Sequence, residues 1–175
     1  GRVAKVVSLA TPFNGSFEAV LKIAIGTGDL GGESPSSRER EAARILPSLY
    51  HLVPAIPGSV QAEPELCSDL FQPQAWQRRV VQTLAEFIRL HGLRPTAPDE
   101  QASEFFASML SQAQDYRRRV DELQLEAAGL SAADWLCVAG VNSPTRVRLP
   151  IRNRNGEPDF VLRSADRENR WNADR

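Results

Sequence analysis

Cysteine, lysine and long apolar runs are scarce in this chain. Of its 21 lysine and arginine residues only Lys5 and Lys22 are lysines, and its only cysteines are Cys67 and Cys137. Two cysteines do not make a disulfide framework, and no Cys-x-x-Cys or His-x-x-x-His spacing indicates a metal site. No apolar run approaches the roughly 18 residues of a membrane span. These absences argue against a disulfide scaffold, a zinc module and a membrane-spanning protein.

The composition is typical of a single soluble globular domain. The 175 residues are 42% hydrophobic and 25% charged, with a net charge of −1, so no general field attracts nucleic acid or an anionic membrane. Eight arginines lie between residues 146 and 175, but only Phe160 and Trp171 interleave them. A protein that binds single-stranded nucleic acid normally offers more aromatic side chains on which bases can stack. We predict no nucleic-acid partner, and the cytoplasm is favoured over secretion.

Two apolar segments predict buried strands far apart in the chain. Residues 3–10 form a continuous apolar run broken only by Lys5 and Ser8, and residues 135–141 form a second one that includes Cys137. Cys137 is therefore expected to be a small buried hydrophobe, whereas Cys67 lies in a loop-like stretch. Two strands cannot form a stable sheet alone. We expect partner strands to lie outside the chain, which begins at Gly1 and reads as part of a larger protein.

The residues between these strands are mainly helical in pattern. Ser36 and Glu39 fit a capping box, four prolines in residues 53–73 exclude a long regular element there, and Asn155-Gly156 predicts a hairpin turn. Predicted helices cover residues 17–25, 36–46, 74–91 and 99–128, and short strands are predicted at 146–151 and 159–163.

Three segments carry a resemblance to a known family. The first strand runs into Thr11-Pro12-Phe13-Asn14-Gly15-Ser16. This resembles the strand and loop that follow the nucleophile elbow of α/β-hydrolases, in the lipase and lecithin–cholesterol acyltransferase branch. The stretch Pro47-Ser48-Leu49-Tyr50, followed by Leu52 and Pro54, resembles part of the lid, and residues 140–145 resemble the turn after the next sheet strand. The matches cover about a quarter of the chain and come in the expected order.

The resemblance implies an α/β fold class, here a partial α/β-hydrolase. Residues 1–16 and 132–175 would belong to the core sheet, and residues 17–131 would form a helical lid or cap. The parent would be a serine lipase, esterase or lipid O-acyltransferase that uses a Ser–acid–His triad and no cofactor or metal. Its partners would be an ester or lipid substrate, the remaining hydrolase segments of the same polypeptide, and transiently a lipid interface.

No catalytic residue of that triad is expected within this chain. No Gly-x-Ser-x-Gly or Gly-Asp-Gly-Thr occurs, Ser16 is interpreted as a helix N-cap, and Asp166 and Asp174 as solvated loop acids. His51 is predicted on the lid surface and His91 at a helix end. Thr11, Pro12, Gly15 and Ser16 are assigned to the structural motif. The candidate substrate-binding residues are Phe13, Leu21, Ile25, Leu49 and Tyr50.

Two further interpretations accompany this hypothesis. Arg117, Arg118 and Arg119 are flanked by acidic residues, so they are predicted to form a solvated face with i,i+4 pairs. The alternative function is a non-catalytic helical interaction module, or a degenerate hydrolase, in which residues 74–128 form a docking surface. The two amphipathic helices of that segment are expected to pack on each other.

Overall fold

Helices and strands are mixed along the chain, as in the α/β class. The computed structural model describes residues 3–26, 37–92, 96–140, 145–162 and 170–171. The strands are β1 (Val6–Leu9), β2 (Val60–Ala62), β3 (Trp135–Val138), β4 (Thr145–Arg146), β5 (Leu149–Arg154), β6 (Glu157–Phe160) and β7 (Arg170–Trp171). The helices are α1 (Phe17–Ile25), α2 (Ser37–Ile45), α3 (Pro47–Tyr50), α4 (Arg78–His91) and α5 (Pro98–Asp121).

The two strands predicted at the ends of the helical segment pair with each other. β1 and β3 are parallel neighbours, with Val6 opposite Trp135 and Leu9 opposite Val138. Parallel pairing requires a long crossover, and α1 to α5 all lie in that crossover. The parallel β1–β3 pair with its helical crossover is therefore compatible with the α/β class.

One face of this pair is open to solvent. Side chains alternate across a strand, so Val7, Leu9, Leu136 and Val138 share a face, and between 49% and 68% of each is exposed. We call these four residues the open sheet face. The prediction of two buried strands was wrong for the described residues, and Cys137 on the opposite face is also exposed. The helices bury their apolar stripes against one another, not against this face.

A second sheet belongs to the helical part of the molecule. β5 pairs in parallel with β2 and antiparallel with β6, and Asn155 and Gly156 turn the hairpin at φ values of 57° and 84°. Leu149, Ile151 and Phe160 enter the same core as the helices. The hairpin, which the sequence assigned to the hydrolase sheet, thus pairs with a strand from within residues 17–131.

The core is built mainly by α4 and α5 packing on each other, as their stripes predicted. Leu84 and Phe106 are almost fully buried, and Trp76 contacts Phe106 and Phe160 edge-on, with ring centroids 5.9 and 5.4 Å apart. Trp76 precedes α4 and does not belong to it, and α5 ends at Asp121, earlier than predicted. Ser36 of the expected capping box lies outside the described residues.

Arg44 on α2 joins three helices inside this core. Its guanidinium donates to the carbonyl oxygens of Ile23 and Ala24 at 2.9 and 2.8 Å, to that of Arg79 at 3.0 Å, and to Thr83 Oγ1. Burial, together with the charge of Arg79, lowers the pKa of Arg44 to about 10. The side chain stays 97% buried because carbonyl acceptors surround it.

Candidate functional site

The loop after β1 is a tight turn that the sequence specifies locally. Gly15 donates its N–H to the Pro12 carbonyl at 2.9 Å, and Phe13 donates to the Thr11 carbonyl at 3.0 Å. Ser16 ends the loop as the N-cap of α1, accepting from Glu18 N at 3.2 Å. The predicted cap is confirmed, and Ser16 thereby has a structural role.

Two of the segments that carry the family resemblance lie against each other. Ser16 donates its N–H to the Leu52 carbonyl at 2.7 Å, and Ala55 donates to the Asn14 carbonyl at 3.3 Å. A Cβ placed on Gly15 would lie 2.6 Å from Pro54 Cα. The glycine is thus required both by its φ of +84° and by this close approach of two backbones.

We expect Gly15→Ala to lower the free energy of unfolding by about 3 kcal/mol. Alanine is strained at the left-handed φ of this position, and its Cβ would also clash with the backbone of Pro54. The matched control is Gly58→Ala: Gly58 has a φ of +70°, but its Cβ would meet nothing within 4 Å. That variant should lose only about 1 kcal/mol. Urea unfolding of both variants measures the difference, and equal losses would contradict the packing of the two segments.

Arg117 on α5 fastens the loop to the helical part. It is only 5% exposed and donates to the carbonyl oxygens of Phe13 and, at 2.9 Å, His51. The prediction of a solvated triplet was wrong for Arg117, whereas exposed Arg118 pairs with Asp115 at 3.1 Å. A signal was present in the sequence: Arg117 continues the buried stripe of Leu110 and Ala113 at a spacing of three and four.

An apolar cavity of about 610 Å³ opens at the carboxyl end of β1. The Phe13 ring lies 5.7 Å from the Trp135 ring, and the His51 ring stacks on Tyr116 at 4.6 Å. Trp135 also donates its indole N–H to Ser8 Oγ at 2.9 Å, which orients the ring on the face of β3 opposite the open sheet face. Apolar side chains from the end of α5 and beyond complete the wall: Val120, Leu123 and Leu125.

The structure brings one of the five candidate substrate-binding residues to this cavity. Phe13 lines it, whereas Ile25 and Leu49 pack against the core and Leu21 is half-buried on α1. Tyr50 is fully buried and donates its hydroxyl to the Arg44 carbonyl at 2.7 Å, and burial raises its pKa above the ordinary value. A residue enclosed in this way does not contact a ligand in the cavity.

Sequence reasoning missed the residues that come to this cavity from distant parts of the chain. His51, Tyr116 and Trp135 lie on a loop, a helix and a strand, so their meeting depends on tertiary packing. His51 was predicted on the lid surface, and the structure places it half-buried in the cavity wall. Aromatic residues at element ends were the available signal.

Ser8 and His51 each contact an aromatic side chain: Ser8 Oγ accepts the indole N–H of Trp135, and the His51 ring is stacked on Tyr116. His91 ends α4, as predicted, with its ring 3.8 Å from Glu41. No cluster of three or more potential metal ligands occurs among the described residues, and Asp166 and Asp174 lie outside them. No described helix is both long and apolar enough to cross a membrane.

Comparison with known proteins adds no assignment. The chain matches no protein-family model, no curated protein and no solved structure.

Proposed function

We propose that this chain supplies a sheet edge and the helical cap of a serine acyl-transfer enzyme, a lipase, esterase or lipid O-acyltransferase. The observation that carries the proposal is the parallel pairing of β1 with β3 across a helical crossover. The loop at the carboxyl end of β1 borders the apolar cavity, and ligand sites of open α/β sheets lie at that end of the strands.

The open sheet face supports the same proposal. Parallel sheets are normally covered on both faces, but Val7, Leu9, Leu136 and Val138 are about half or more exposed here. Their aliphatic character suits burial under helices and beside further strands. Those elements are the remaining hydrolase segments of the polypeptide, which would also carry the nucleophile, the acid and the base.

In this account the two parts of the enzyme have separate tasks. The serine attacks the ester carbonyl while a histidine takes its proton and an acid orients the imidazole. Residues of this chain hold the substrate: Phe13 and Trp135 offer ring surface, and Arg117 fixes the loop that bears Phe13. Water or an alcohol then accepts the acyl group.

Reading the coding sequence on both sides of the chain tests the proposal. We expect Gly-x-Ser-x-Gly upstream and Gly-Asp-Gly-Thr downstream, and we expect the 175 residues alone to show no ester turnover. Absence of both motifs from the gene would contradict the enzyme. Turnover by the chain alone, abolished by substituting one of its own serines, would contradict the division of tasks.

A helical interaction module is the second candidate. The observation that favours it is the common core of α4, α5 and the β2–β5–β6 sheet, which forms without contribution from β1 or β3. Leu90 and Phe105, on the outer faces of α4 and α5, are 70% and 41% exposed. A gene that lacks both flanking motifs would favour this candidate.

A further inference from the structure

We infer that the apolar cavity binds one straight acyl chain of up to about twenty carbons, with its ester head at the loop after β1. The biological role of this binding rests on the proposed function, but the binding itself belongs to residues of this chain. The strongest support is the chemistry of the wall. It combines the rings of Phe13, Tyr116 and Trp135 with aliphatic side chains. Its polar lining residues are Thr11 and Asn14 of the loop, His51, and Arg117 and Asp121 of α5.

The size of the cavity sets the length of the ligand. A methylene needs roughly the room of a water molecule in the liquid, about 30 Å³. A chain of about twenty carbons then fills the 610 Å³, and a lauroyl chain fills somewhat more than half of it. Because each buried methylene strengthens binding about fourfold, affinity should rise steeply with chain length until the cavity is full.

The wall is fixed before the ligand arrives. Arg117 ties the Phe13 and His51 carbonyls to α5, and the His51 ring is stacked on Tyr116. The indole of Trp135 is held by Ser8. These contacts orient the indole and join the wall residues to one another, and a preformed site loses little entropy on binding.

Cys137 gives a direct readout, because it is exposed and lines the cavity, whereas Cys67 is half-buried elsewhere. The intact chain is treated with iodoacetamide in the presence of 1-octanoyl-, 1-lauroyl- or 1-palmitoylglycerol below micelle formation. We expect lauroylglycerol at ten times its Kd to slow alkylation of Cys137 about tenfold, following occupancy. Cys67 should react at its original rate. Affinity should rise from octanoyl through lauroyl to palmitoyl, because none of the three chains fills the cavity.

A variant with the thiol moved to the open sheet face controls for adsorption of the monoacylglycerol to that face. In the double variant Cys137→Ser, Val138→Cys, the thiol lies on the same strand but on that opposite face. Equal protection of this thiol, no protection of Cys137, or affinity that stops rising before palmitoyl would each overturn the inference. Val120→Phe, which narrows the cavity, should weaken lauroylglycerol binding about tenfold, and unchanged affinity in the folded variant would likewise contradict it.

The outcomes separate this inference from the proposed function. If lauroylglycerol does not protect Cys137 and the gene encodes both flanking motifs, the acyl site is contradicted but the proposed enzyme is not. If lauroylglycerol protects Cys137 but the gene lacks both motifs, the enzyme is contradicted and the chain is an acyl-binding module.

Discussion

Replacing Arg44 with alanine is expected to lower the free energy of unfolding by about 4 kcal/mol. Each hydrogen bond to a charged group contributes about 1.5–3 kcal/mol to stability. Removing the buried charge offsets part of that loss, because a buried charge is itself destabilising. The guanidinium donates to the carbonyls of Ile23, Ala24 and Arg79 and to Thr83 Oγ1. Without it, the carboxyl end of α1 loses a buried donor, and α2 loses its link to α4.

Urea unfolding of Arg44→Ala and Arg44→Lys tests this role. Lysine keeps the charge but not the planar fork of donors, so it should recover less than half of the loss. Arg40→Ala, on the same helix at an exposed position, is the matched control and should change stability by less than about 0.5 kcal/mol. Equal effects of Arg44→Ala and Arg40→Ala would contradict the buried role of Arg44.

Replacing Arg117 with alanine is expected to lower the free energy of unfolding by about 3 kcal/mol, because two part-buried carbonyls lose a charged donor. These carbonyls belong to Phe13 and His51, which both line the cavity. We therefore expect the loop after β1 to separate from α5 and protection of Cys137 by lauroylglycerol to fall with it.

Arg118→Ala provides the matched control for Arg117. The two arginines are adjacent on α5, but Arg118 is exposed and bound to Asp115 three residues earlier. Exposed ion pairs contribute between about 0 and 1 kcal/mol. Urea unfolding should therefore separate the two variants by about 2 kcal/mol or more. A loss as small for Arg117→Ala as for Arg118→Ala would mean that the guanidinium does not hold the loop.

Features that depend on neighbours in sequence were predictable. The spacing of Val80, Leu84 and Ile88 indicated α4, and Asn155-Gly156 indicated the β5–β6 turn, since each depends on local backbone preferences and one apolar stripe. The apolar runs at residues 3–10 and 135–141 also indicated two strands, which the structure pairs as β1 and β3. All three features are present in the structure.

Features that depend on tertiary neighbours were not predictable in the same way. Arg44 and Arg117 carry charges, which ordinarily face solvent, and only the fold supplies the carbonyls that keep them buried. Tyr50 was placed in a substrate pocket, although its hydroxyl meets the Arg44 carbonyl. β1 and β3 are largely exposed among the described residues, so their apolar sequence did not by itself determine burial.

Mapping the reactive serine of the full gene product tests the central claim most directly. The protein expressed from the complete gene is treated with a fluorophosphonate, and the labelled peptide is identified by mass spectrometry. We predict one labelled serine, within a Gly-x-Ser-x-Gly segment that precedes Gly1, and no label within the 175 residues. A full-length protein that reacts with no fluorophosphonate, or one labelled on a serine of this chain, would contradict the account.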